Sequence, residues 1–466
     1  MRVKRVSSVA IFICLLGAQL NTLAIAANPQ AGMKCSKLGN VQTFQGKKYT
    51  CVKSGKKLIW NKGVKTSSPA STVNTEETTK PAEVTPQPEK TETPNIVVSS
   101  NSEYRAISEC KLVNKSGNNS VNVSNSPRDW KLFDPSKPMR VLIFSVDFPD
   151  LVSPNSDAPS FAELKNSMET FYKSQSNNRL SFTWTIAPKF SRMSQTIASY
   201  GVGSRAAGSV WKLNNDIQDL AFKTYNRDDF DFIIGSAPTT TTREQIASSP
   251  AFGSADPKYL GATYLGGDYW SNGSSWTIPA HEFGHFALGI ADLYDFKASM
   301  LGQSGFEQQF QYLGVYDIMN WAGGAGLELT AWSRWIAKLT SDAQMLCLPN
   351  ASTITLLKPI EDVGDDVKGL VIPISETQAI VIENRAAKGF DSKLESGGQG
   401  VISYLVDTSI QSGSGPIKII RKSGSSNIWF QDNALKNGDS LDYLGYKIKI
   451  IGQSGDQYYV QVEKVA

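Results

Sequence analysis

One stretch, Ala280 to Asp295, constrains this 466-residue chain more than any other because it contains the pattern His-Glu-x-x-His. The sequence has two histidines, His281 and His285, and both belong to this pattern. Residues four apart lie on the same face of an α-helix, so both imidazoles could bind one metal ion. Glu282 follows the first histidine and could take a proton from a water molecule at that metal. The pattern therefore predicts a helix that carries a metal site suited to hydrolysis.

The residues around this pattern predict where the helix begins and ends. Thr277 and Pro279 are both favourable near a helix start. Gly289 is favourable at a helix end because glycine adopts positive φ without strain. We therefore expect a short helix that begins near Thr277 and ends just before Gly289.

The N-terminal residues have the three parts of a secretory signal. Basic residues stand near the start, an apolar segment runs from Val9 to Leu16, and Ala24-Ile25-Ala26 supplies small residues for cleavage. This predicts that residues 1–26 are removed and that the protein is secreted, extracellular or associated with the cell wall. No later stretch is apolar enough to cross a membrane, so no transmembrane anchor is predicted. An uncleaved signal that acts as an anchor is the alternative.

The sequence has 5 cysteines, and Cys14 lies within the predicted signal. The other cysteines are even in number, which is typical of disulfide pairing in an exported protein. Cys35 and Cys51 are the local pair, and Cys110 and Cys347 are then paired by elimination. An alternative is that the Cys110 thiolate caps the metal until a prosegment is cleaved.

The first part of the mature chain is predicted to contain three segments. Residues 33–63 form a small basic disulfide module with a hairpin turn at Gly46. Its lysines could contact an anionic cell-wall polymer, or they could simply solvate a very small domain. Residues 64–102 are rich in Ser, Thr, Pro, Glu and Lys, which predicts a disordered linker. Residues 103–135 are a lead-in, either a cap on the following domain or a removable prosegment.

The remainder of the chain has two patterns, which place it in the α+β class. Residues 103–340, which include the lead-in, contain strands and helices in alternation and carry the metal-binding helix. Within them, Ala262–Leu265 is predicted to be a sheet edge, which either binds an extended peptide as an added strand or is an ordinary edge. Residues 341–466 contain short strands separated by Gly, Asp and Ser turns, which predicts a C-terminal β-sandwich.

The chain from about Arg140 onward resembles the immune inhibitor A family of secreted bacterial metallopeptidases. The resemblance rests on stretches that occur in the same order, namely Ser145-Val146-Asp147-Phe148-Pro149-Asp150, Phe171-Tyr172-Lys173-Ser174-Gln175-Ser176, the His-Glu helix ending in Asp292-Leu293-Tyr294-Asp295, Tyr316-Asp317-Ile318-Met319, and Ile382-Glu383-Asn384-Arg385 through Gly389-Phe390-Asp391. It implies a zinc-dependent endopeptidase of the metzincin type. It also implies a zincin-like catalytic domain built on a twisted mixed sheet.

The resemblance implies roles for individual residues. His281, His285 and an aspartate after the helix would bind zinc, and Glu282 would be the general base. Met319 would form a methionine turn beneath the metal, with an ordinary core methionine as the alternative. Family members can also bind calcium, for which the available acidic residues are Asp147, Asp150 and Asp157.

Asp292 is the expected third zinc ligand. The family spacing has two residues between the second histidine and the glycine, whereas this chain has three, Phe286-Ala287-Leu288, before Gly289. On a straight helix Asp292 would lie about 16 Å along the axis from the first histidine. The helix must therefore end near Gly289 and the chain must turn back, with the extra residue absorbed as a longer last turn or a π-type bulge. Asp295 and Glu307 are the alternative ligands.

These features predict a secreted, monomeric zinc endopeptidase that hydrolyses peptide bonds of extracellular proteins. The formal net charge of +4 is small and no nucleic-acid motif is present, so nucleic acid is not expected as a partner. One alternative is a cell-wall-associated zinc hydrolase that acts on a non-protein bond. Another is a non-catalytic binding protein with a structural zinc, against which Glu282 argues because structural sites use four ligands and no adjacent base.

Overall fold

The computed structural model describes residues 34, 41–44, 47–55, 57–62, 64–65, 96–125, 134, 136–203, 209–247, 258–271 and 275–465. The chain forms two compact units, residues 1–91 and residues 92–466. The predicted signal peptide lies outside the described residues, and so does Cys35 with its predicted bond to Cys51. Among the residues that are described, no helix is both long enough and apolar enough to cross a membrane.

The first unit contains a small antiparallel sheet. Its strands are β1 (Val41–Phe44), β2 (Lys47–Ser54), β3 (Lys57–Trp60) and β4 (Val64–Lys65). Strand β2 pairs with each of the other strands. Phe44 lies opposite Lys47, so β1 and β2 form a hairpin. Gly46, where the turn was predicted, lies outside the described residues. Cys51 and Trp60 lie opposite each other on β2 and β3 and are buried in one small cluster.

The second unit is mixed α/β with several sheets. Its described α-helices are α1 (Ala162–Gln175), α2 (Ile197–Tyr200), α3 (Val210–Ala221), α4 (Gly267–Ser271), α5 (Thr277–Phe286), α6 (Phe296–Ser299), α7 (Phe306–Gln309) and α8 (Ala331–Ile336). Its described 3-10 turns are Asn101–Glu103, Ile107–Cys110, Arg227–Asp229, Gly302–Gly305, Asp342–Gln344, Gly389–Asp391 and Ser396–Gly398. Its first sheet contains β5 (Met139–Asp147), β6 (Phe182–Ile186), β7 (Ser191–Arg192), β8 (Phe232–Ser236) and β9 (Gly261–Leu265).

This first sheet corrects the prediction of a mixed sheet. Its order is β6-β5-β8-β9, with β7 also beside β5, and each pairing among these strands is parallel. The reason is connectivity, because a helix or a long segment separates each strand from the next one it pairs with. Such crossovers return the chain in the same direction.

Strand β5 separates two hydrophobic cores and thereby positions α5. Val141 and Ile143 are buried in the core that also contains Phe283 of α5. The intervening Leu142 belongs to a second core, which contains Leu213 of α3. Successive side chains of a strand point to opposite faces, so α5 and α3 cover opposite faces of this sheet.

Two further sheets follow. Their strands are β10 (Met345–Cys347), β11 (Thr353–Leu357), β12 (Gly369–Pro373), β13 (Gln378–Arg385), β14 (Gly400–Asp407), β15 (Ile417–Ile419), β16 (Ser440–Tyr443), β17 (Tyr446–Ser454) and β18 (Gln457–Lys464). One sheet has the order β10-β12-β13-β14-β15 and the other β11-β18-β17-β16. Ile380 and Ile382 of the first share one buried cluster with Ile448 and Val460 of the second, so the two sheets pack on each other.

The five-stranded sheet is covered on its other face by the core around α5. Val381 and Tyr404 of this sheet lie in the same buried cluster as Ala280 and Phe283. The predicted domains 103–340 and 341–466 therefore lie within one compact unit.

Both ends of the predicted linker, residues 64–102, differ from expectation. Val64 and Lys65 form β4 in the first unit. At the other end, Ser99 N–H donates to Ile354 O at 2.8 Å, and Ser99 Oγ accepts from Ile354 N–H at 3.1 Å. The exposed edge of β11 supplies backbone partners that composition cannot reveal.

The lead-in is integral to the second unit. Leu112 and Val123 are buried in the core that contains α5. Cys110 is bonded to Cys347, so this predicted disulfide is confirmed. The alternative of a free Cys110 thiolate that caps the metal is therefore wrong. These contacts favour a cap on the domain over a removable prosegment.

A buried ion network joins the five-stranded sheet to α8. Arg385 donates to Glu383 at 2.6 Å and to Asp391 at 2.7 Å, and none of these three side chains is exposed. Arg334 of α8 pairs with Glu328, whose backbone N–H donates to Asp391 at 2.8 Å. Burial raises the pKa of Asp391 to about 6 despite the adjacent Arg385 guanidinium. The network explains why the stretches 382–385 and 389–391 are rich in charged residues although they are internal.

Replacing Arg385 with methionine is expected to lower the free energy of unfolding by about 3–5 kcal/mol, because Glu383 and Asp391 stay buried without their cation. Chemical denaturation at neutral pH measures this change. Arg140→Met is the matched control, since Arg140 pairs with Asp231 at 2.7 Å on the surface. Loss of such an exposed pair costs about 0–1 kcal/mol. If Arg385→Met lowered the free energy of unfolding as little as the control does, this result would contradict a structural role for the network.

Candidate metal centre

Helix α5 begins at Thr277, as predicted, and is anchored through its apolar residues. Ala280 and Phe283 are fully buried. The Tyr172 hydroxyl donates to Ala280 O at 2.5 Å. These contacts fix the rotation of the helix and direct its histidines away from the core.

The chain leaves α5 through the glycine turn that the sequence predicts. Gly289 has a φ of 70°, and its N–H donates to His285 O at 2.9 Å. Ile290 N–H donates to Gly284 O at 3.0 Å, a span one residue longer than the corresponding bond of a Schellman motif. The extra residue among 286–288 is thus accommodated as a longer turn, and the chain returns toward the histidines.

Three predicted ligand atoms converge beyond this turn. His281 Nε2 and His285 Nε2 are 3.1 Å apart, and Asp292 Oδ1 lies 3.2 Å from the first and 3.1 Å from the second. Within the described ranges, these residues form the only group of three or more His, Cys, Asp or Glu side chains placed to hold one metal ion. Two imidazole nitrogens and a carboxylate oxygen are donors that zinc prefers, and catalytic zinc sites use three protein ligands.

Backbone carbonyls determine which nitrogen of each imidazole faces the site. His281 Nδ1 lies 2.8 Å from Ile318 O, and His285 Nδ1 lies 2.7 Å from Ile290 O. A carbonyl only accepts, so each Nδ1 carries the hydrogen, and Nε2 of the neutral ring is an electron-pair donor. Electron-pair donors this close repel one another unless a cation or protons lie among them. The residues therefore fit a bound metal ion.

The turn 316–319 lies beneath α5. Asp317, whose φ is 68°, accepts hydrogen bonds from Met319 N–H at 2.9 Å and Thr330 N–H at 2.8 Å. The turn directs the Ile318 carbonyl at the first histidine. A Cβ added to the helix at residue 284 would lie 2.6 Å from Met319 Sδ, so the methionine packs directly on the helix backbone between the two histidines. Met319 is thus buried against α5, and its role as a methionine turn rather than an ordinary core methionine stays a prediction.

The close approach of Asp292 changes the pKa of each ligand in the metal-free protein. Burial alone would lower the pKa of His285, but the Asp292 carboxylate outweighs burial and raises it to about 9. Burial would lower the pKa of His281 too, but the hydrogen bond to Asp292 and the negative charges of Glu282 and Asp292 together outweigh burial and raise it. Burial would raise the pKa of Asp292, yet the two imidazoles lower it well below its usual range. Without metal, protons therefore occupy the site near neutral pH and must leave when a metal binds.

Metal affinity is expected to rise with pH, by at least about tenfold per unit from about pH 6.5 to about pH 8.5, because a metal ion must displace a proton from His285 and also from His281 wherever that ring is protonated. Both ligand imidazoles have to be neutral, so lowering the pH favours the metal-free form. Competition with a chelator of known affinity at each pH measures the effect. An affinity that stays constant over this range would contradict proton occupation of the site.

The metal centre opens into a cleft of about 950 Å³. Glu282 lines this cleft beside His281, and its negative charge contributes to the raised pKa of both imidazoles. The ring of Tyr294 lies 6.2 Å from the His281 ring and lines the same cleft. Glu282 therefore faces the same cleft as His281, and its role as a general base stays a prediction. Tyr294 is a residue that the sequence did not single out.

Apolar side chains form much of the cleft wall. Val210 and Leu213 of α3 line one part of it. Phe306, Phe310 and Trp321 line another, and the rings of Phe310 and Trp321 stack with centroids 4.8 Å apart. Walls of this kind suit the apolar side chains of a polypeptide.

The alternative ligands have other surroundings. Asp295 caps α6 by accepting from Ala298 N–H at 3.1 Å and also accepts from the Tyr312 hydroxyl at 3.2 Å. Glu307 is exposed on α7. Neither belongs to the group of candidate metal ligands.

The acidic residues considered for calcium make separate contacts. Asp147 pairs with Arg192 at 2.7 Å. Asp150 accepts from Ile197 N–H at 2.7 Å. With Asp157 they do not form a candidate metal group in the part of the chain that the structure describes.

Among the described strands, β9 ends its sheet, as predicted, and Tyr264 of this strand lines the cleft. The binding of an extended peptide to this edge stays a prediction. Sequence reasoning missed the backbone partners of Asp292, which are Ser412 and Gly413. The only available signal was the glycine-containing turn between two predicted strands.

Comparison with known proteins assigns this chain to no family. No protein family model matches this sequence, and no curated protein matches it significantly.

Proposed function

We propose that this protein is a secreted zinc-dependent endopeptidase that hydrolyses peptide bonds of extracellular proteins, of the immune inhibitor A type that its motifs resemble. The observation that supports this most is the approach of His281 Nε2, His285 Nε2 and Asp292 Oδ1 to within 3.2 Å of one another. Zinc bound by these atoms would acidify a water molecule and polarise the scissile carbonyl.

The protein's own residues supply the rest of the chemistry. Glu282 takes a proton from the attacking water and delivers it to the nitrogen of the leaving amine. The carbonyls of Ile318 and Ile290 hold the imidazoles with Nε2 toward the site. The apolar cleft walls bind side chains of the substrate and exclude bulk water around the reacting bond.

The architecture agrees with this proposal. We infer that the parallel sheet and α5 form a zincin-like catalytic region. We also infer that the two C-terminal sheets form a β-sandwich, because their facing residues share one buried cluster. The disulfide between Cys110 and Cys347 suits an oxidising compartment, which supports export of the protein.

A non-catalytic protein with a structural zinc fits these residues less well. Structural zinc sites are closed by four protein ligands, whereas catalytic sites keep one position open. Here three ligand atoms lie beside an open cleft that also contains Glu282.

Digestion of denatured casein tests the proposal. The secreted full chain is incubated with casein alone, with a zinc chelator, and with the chelator followed by excess zinc, and cut sites are mapped by mass spectrometry. We expect internal cuts that the chelator abolishes and zinc restores, with large apolar residues next to the cut bonds. Intact casein together with zinc-dependent release of fragments from purified cell wall would instead support the non-protein hydrolase.

A further inference from the structure

The loop that carries Asp292 is held by the C-terminal part of the chain. Asp292 N–H donates to Ser412 Oγ at 2.9 Å, and Gly413 N–H donates to Asp292 O at 2.9 Å. Phe296 N–H donates to Gly413 O, also at 2.9 Å. Both peptide groups of the third ligand are therefore bound by two consecutive residues that lie about 120 positions further along the chain.

These contacts matter because the ligand loop has no regular structure of its own. Residues 290–295 belong to neither a helix nor a strand. Their position is therefore not set by a local hydrogen-bond ladder, and their backbone groups need partners from elsewhere. An aspartate on such a loop can reach a metal only if its Cα is held at the right distance and orientation.

Other segments hold the ends of the loop. Asn122 N–H donates to Gly289 O at 3.3 Å on the helix side. Leu293 N–H donates to Met319 O at 3.1 Å on the other side. The hydrogen bonds on the Asp292 peptide groups themselves come from Ser412 and Gly413, so these two residues act most directly on the ligand.

The segment between β14 and β15 is itself well positioned to act as a support. Asp407 N–H donates to Pro416 O at 2.8 Å, which closes the base of the segment. Gly413 has a φ of 73°, and a Cβ added there would lie 2.8 Å from Phe296 Cβ. A glycine is therefore needed at this position for the two backbones to approach each other.

We propose that Ser412 and Gly413 are positioning residues for the third metal ligand, so that the C-terminal five-stranded sheet completes the metal centre. This inference rests on the proposed metal site. It gives that sheet a role in zinc binding, in addition to packing against the core around α5.

The test measures metal binding rather than hydrolysis. Ser412→Ala in the full chain is expected to weaken zinc affinity by about 10–100-fold, the usual effect of losing an outer contact of a metal ligand. Ser412→Thr keeps the hydroxyl and is expected to restore most of the affinity. Ser414→Ala is the matched control, because Ser414 is exposed on the same segment. Gly413→Ala is expected to weaken zinc binding at least as much as Ser412→Ala.

Two further measurements separate positioning from general loss of structure. The visible absorption of the cobalt(II)-loaded protein reports the geometry at the metal, and we expect it to change in Ser412→Ala but not in Ser414→Ala. Thermal unfolding of the metal-free proteins is expected to stay nearly unchanged in Ser412→Ala.

Three outcomes would overturn the inference. Unchanged zinc affinity and an unchanged cobalt spectrum in Ser412→Ala would remove the positioning role while leaving the metal centre in place. Equal losses of zinc affinity in Ser412→Ala and Ser414→Ala would show that the substitutions loosen the segment and that Ser412 does not position Asp292. A wild-type chain that binds no zinc would reject both this inference and the proposed function, whereas zinc binding without proteolysis would reject only the endopeptidase.

Discussion

Replacing Glu282 with glutamine is expected to slow peptide hydrolysis by about 10²–10⁴-fold or more while the protein keeps its full zinc content. The amide has the size of the carboxylate and can still bind water, but it cannot accept a proton near neutral pH. The loss can exceed this range because the same group is expected to serve both proton transfers. Zinc analysis and chelator-sensitive cleavage of casein, measured on the same preparation, give the two quantities.

Glu307→Gln is the control for this substitution. Glu307 is an exposed glutamate on α7, a short helix whose Phe306 and Gln309 line the cleft. We expect this variant to keep wild-type activity. If Glu282→Gln retained near-complete activity that the chelator still abolished, Glu282 would not be the general base.

Asp292→Ala is expected to weaken zinc affinity by more than about 100-fold. Loss of a residue that only supports a ligand weakens metal affinity by up to about 100-fold, and this substitution removes a direct ligand. The two histidines alone would leave the site with two protein donors, one fewer than catalytic zinc sites use. Hydrolysis is expected to fall in parallel at limiting zinc. Zinc content after dialysis and affinity by chelator competition measure the change.

Asp295→Ala and Glu307→Ala are the matched controls, since these were the alternative ligands. Asp295→Ala removes the cap of α6 and is expected to cost about 1 kcal/mol of stability without loss of zinc. Glu307→Ala is expected to be neutral in both respects. Full zinc content in Asp292→Ala, with loss in either control, would move the third ligand to that residue.

The elements with a strong local pattern were predictable. The spacing of two histidines and the flanking Thr277 and Gly289 located α5 and its end. The even number of cysteines, with Cys35 and Cys51 taken as the local pair, indicated the disulfide between Cys110 and Cys347 by elimination. In each case neighbouring residues or a small set of candidates carried enough information, because helix periodicity and turn conformation depend mainly on local sterics.

Long-range features were predicted less well. The sheet next to α5 is parallel rather than mixed, because strand direction depends on how crossovers pack. Residues 96–102 are ordered rather than part of the linker, since the edge of β11 supplies partners for Ser99. Composition describes the segment itself and carries no information about the surface that it meets.

The same distinction between local and long-range features applies to the candidate metal centre. The sequence by itself determined that His281, Glu282 and His285 share one helix, because their spacing matches the helical repeat. It also required the chain to turn at Gly289, the residue there that adopts positive φ without strain. Only the tertiary structure decided that Asp292 Oδ1 lies 3.1 Å from His285 Nε2, because the loop that carries Asp292 has no local hydrogen-bond ladder and takes its position from Met319, Ser412 and Gly413.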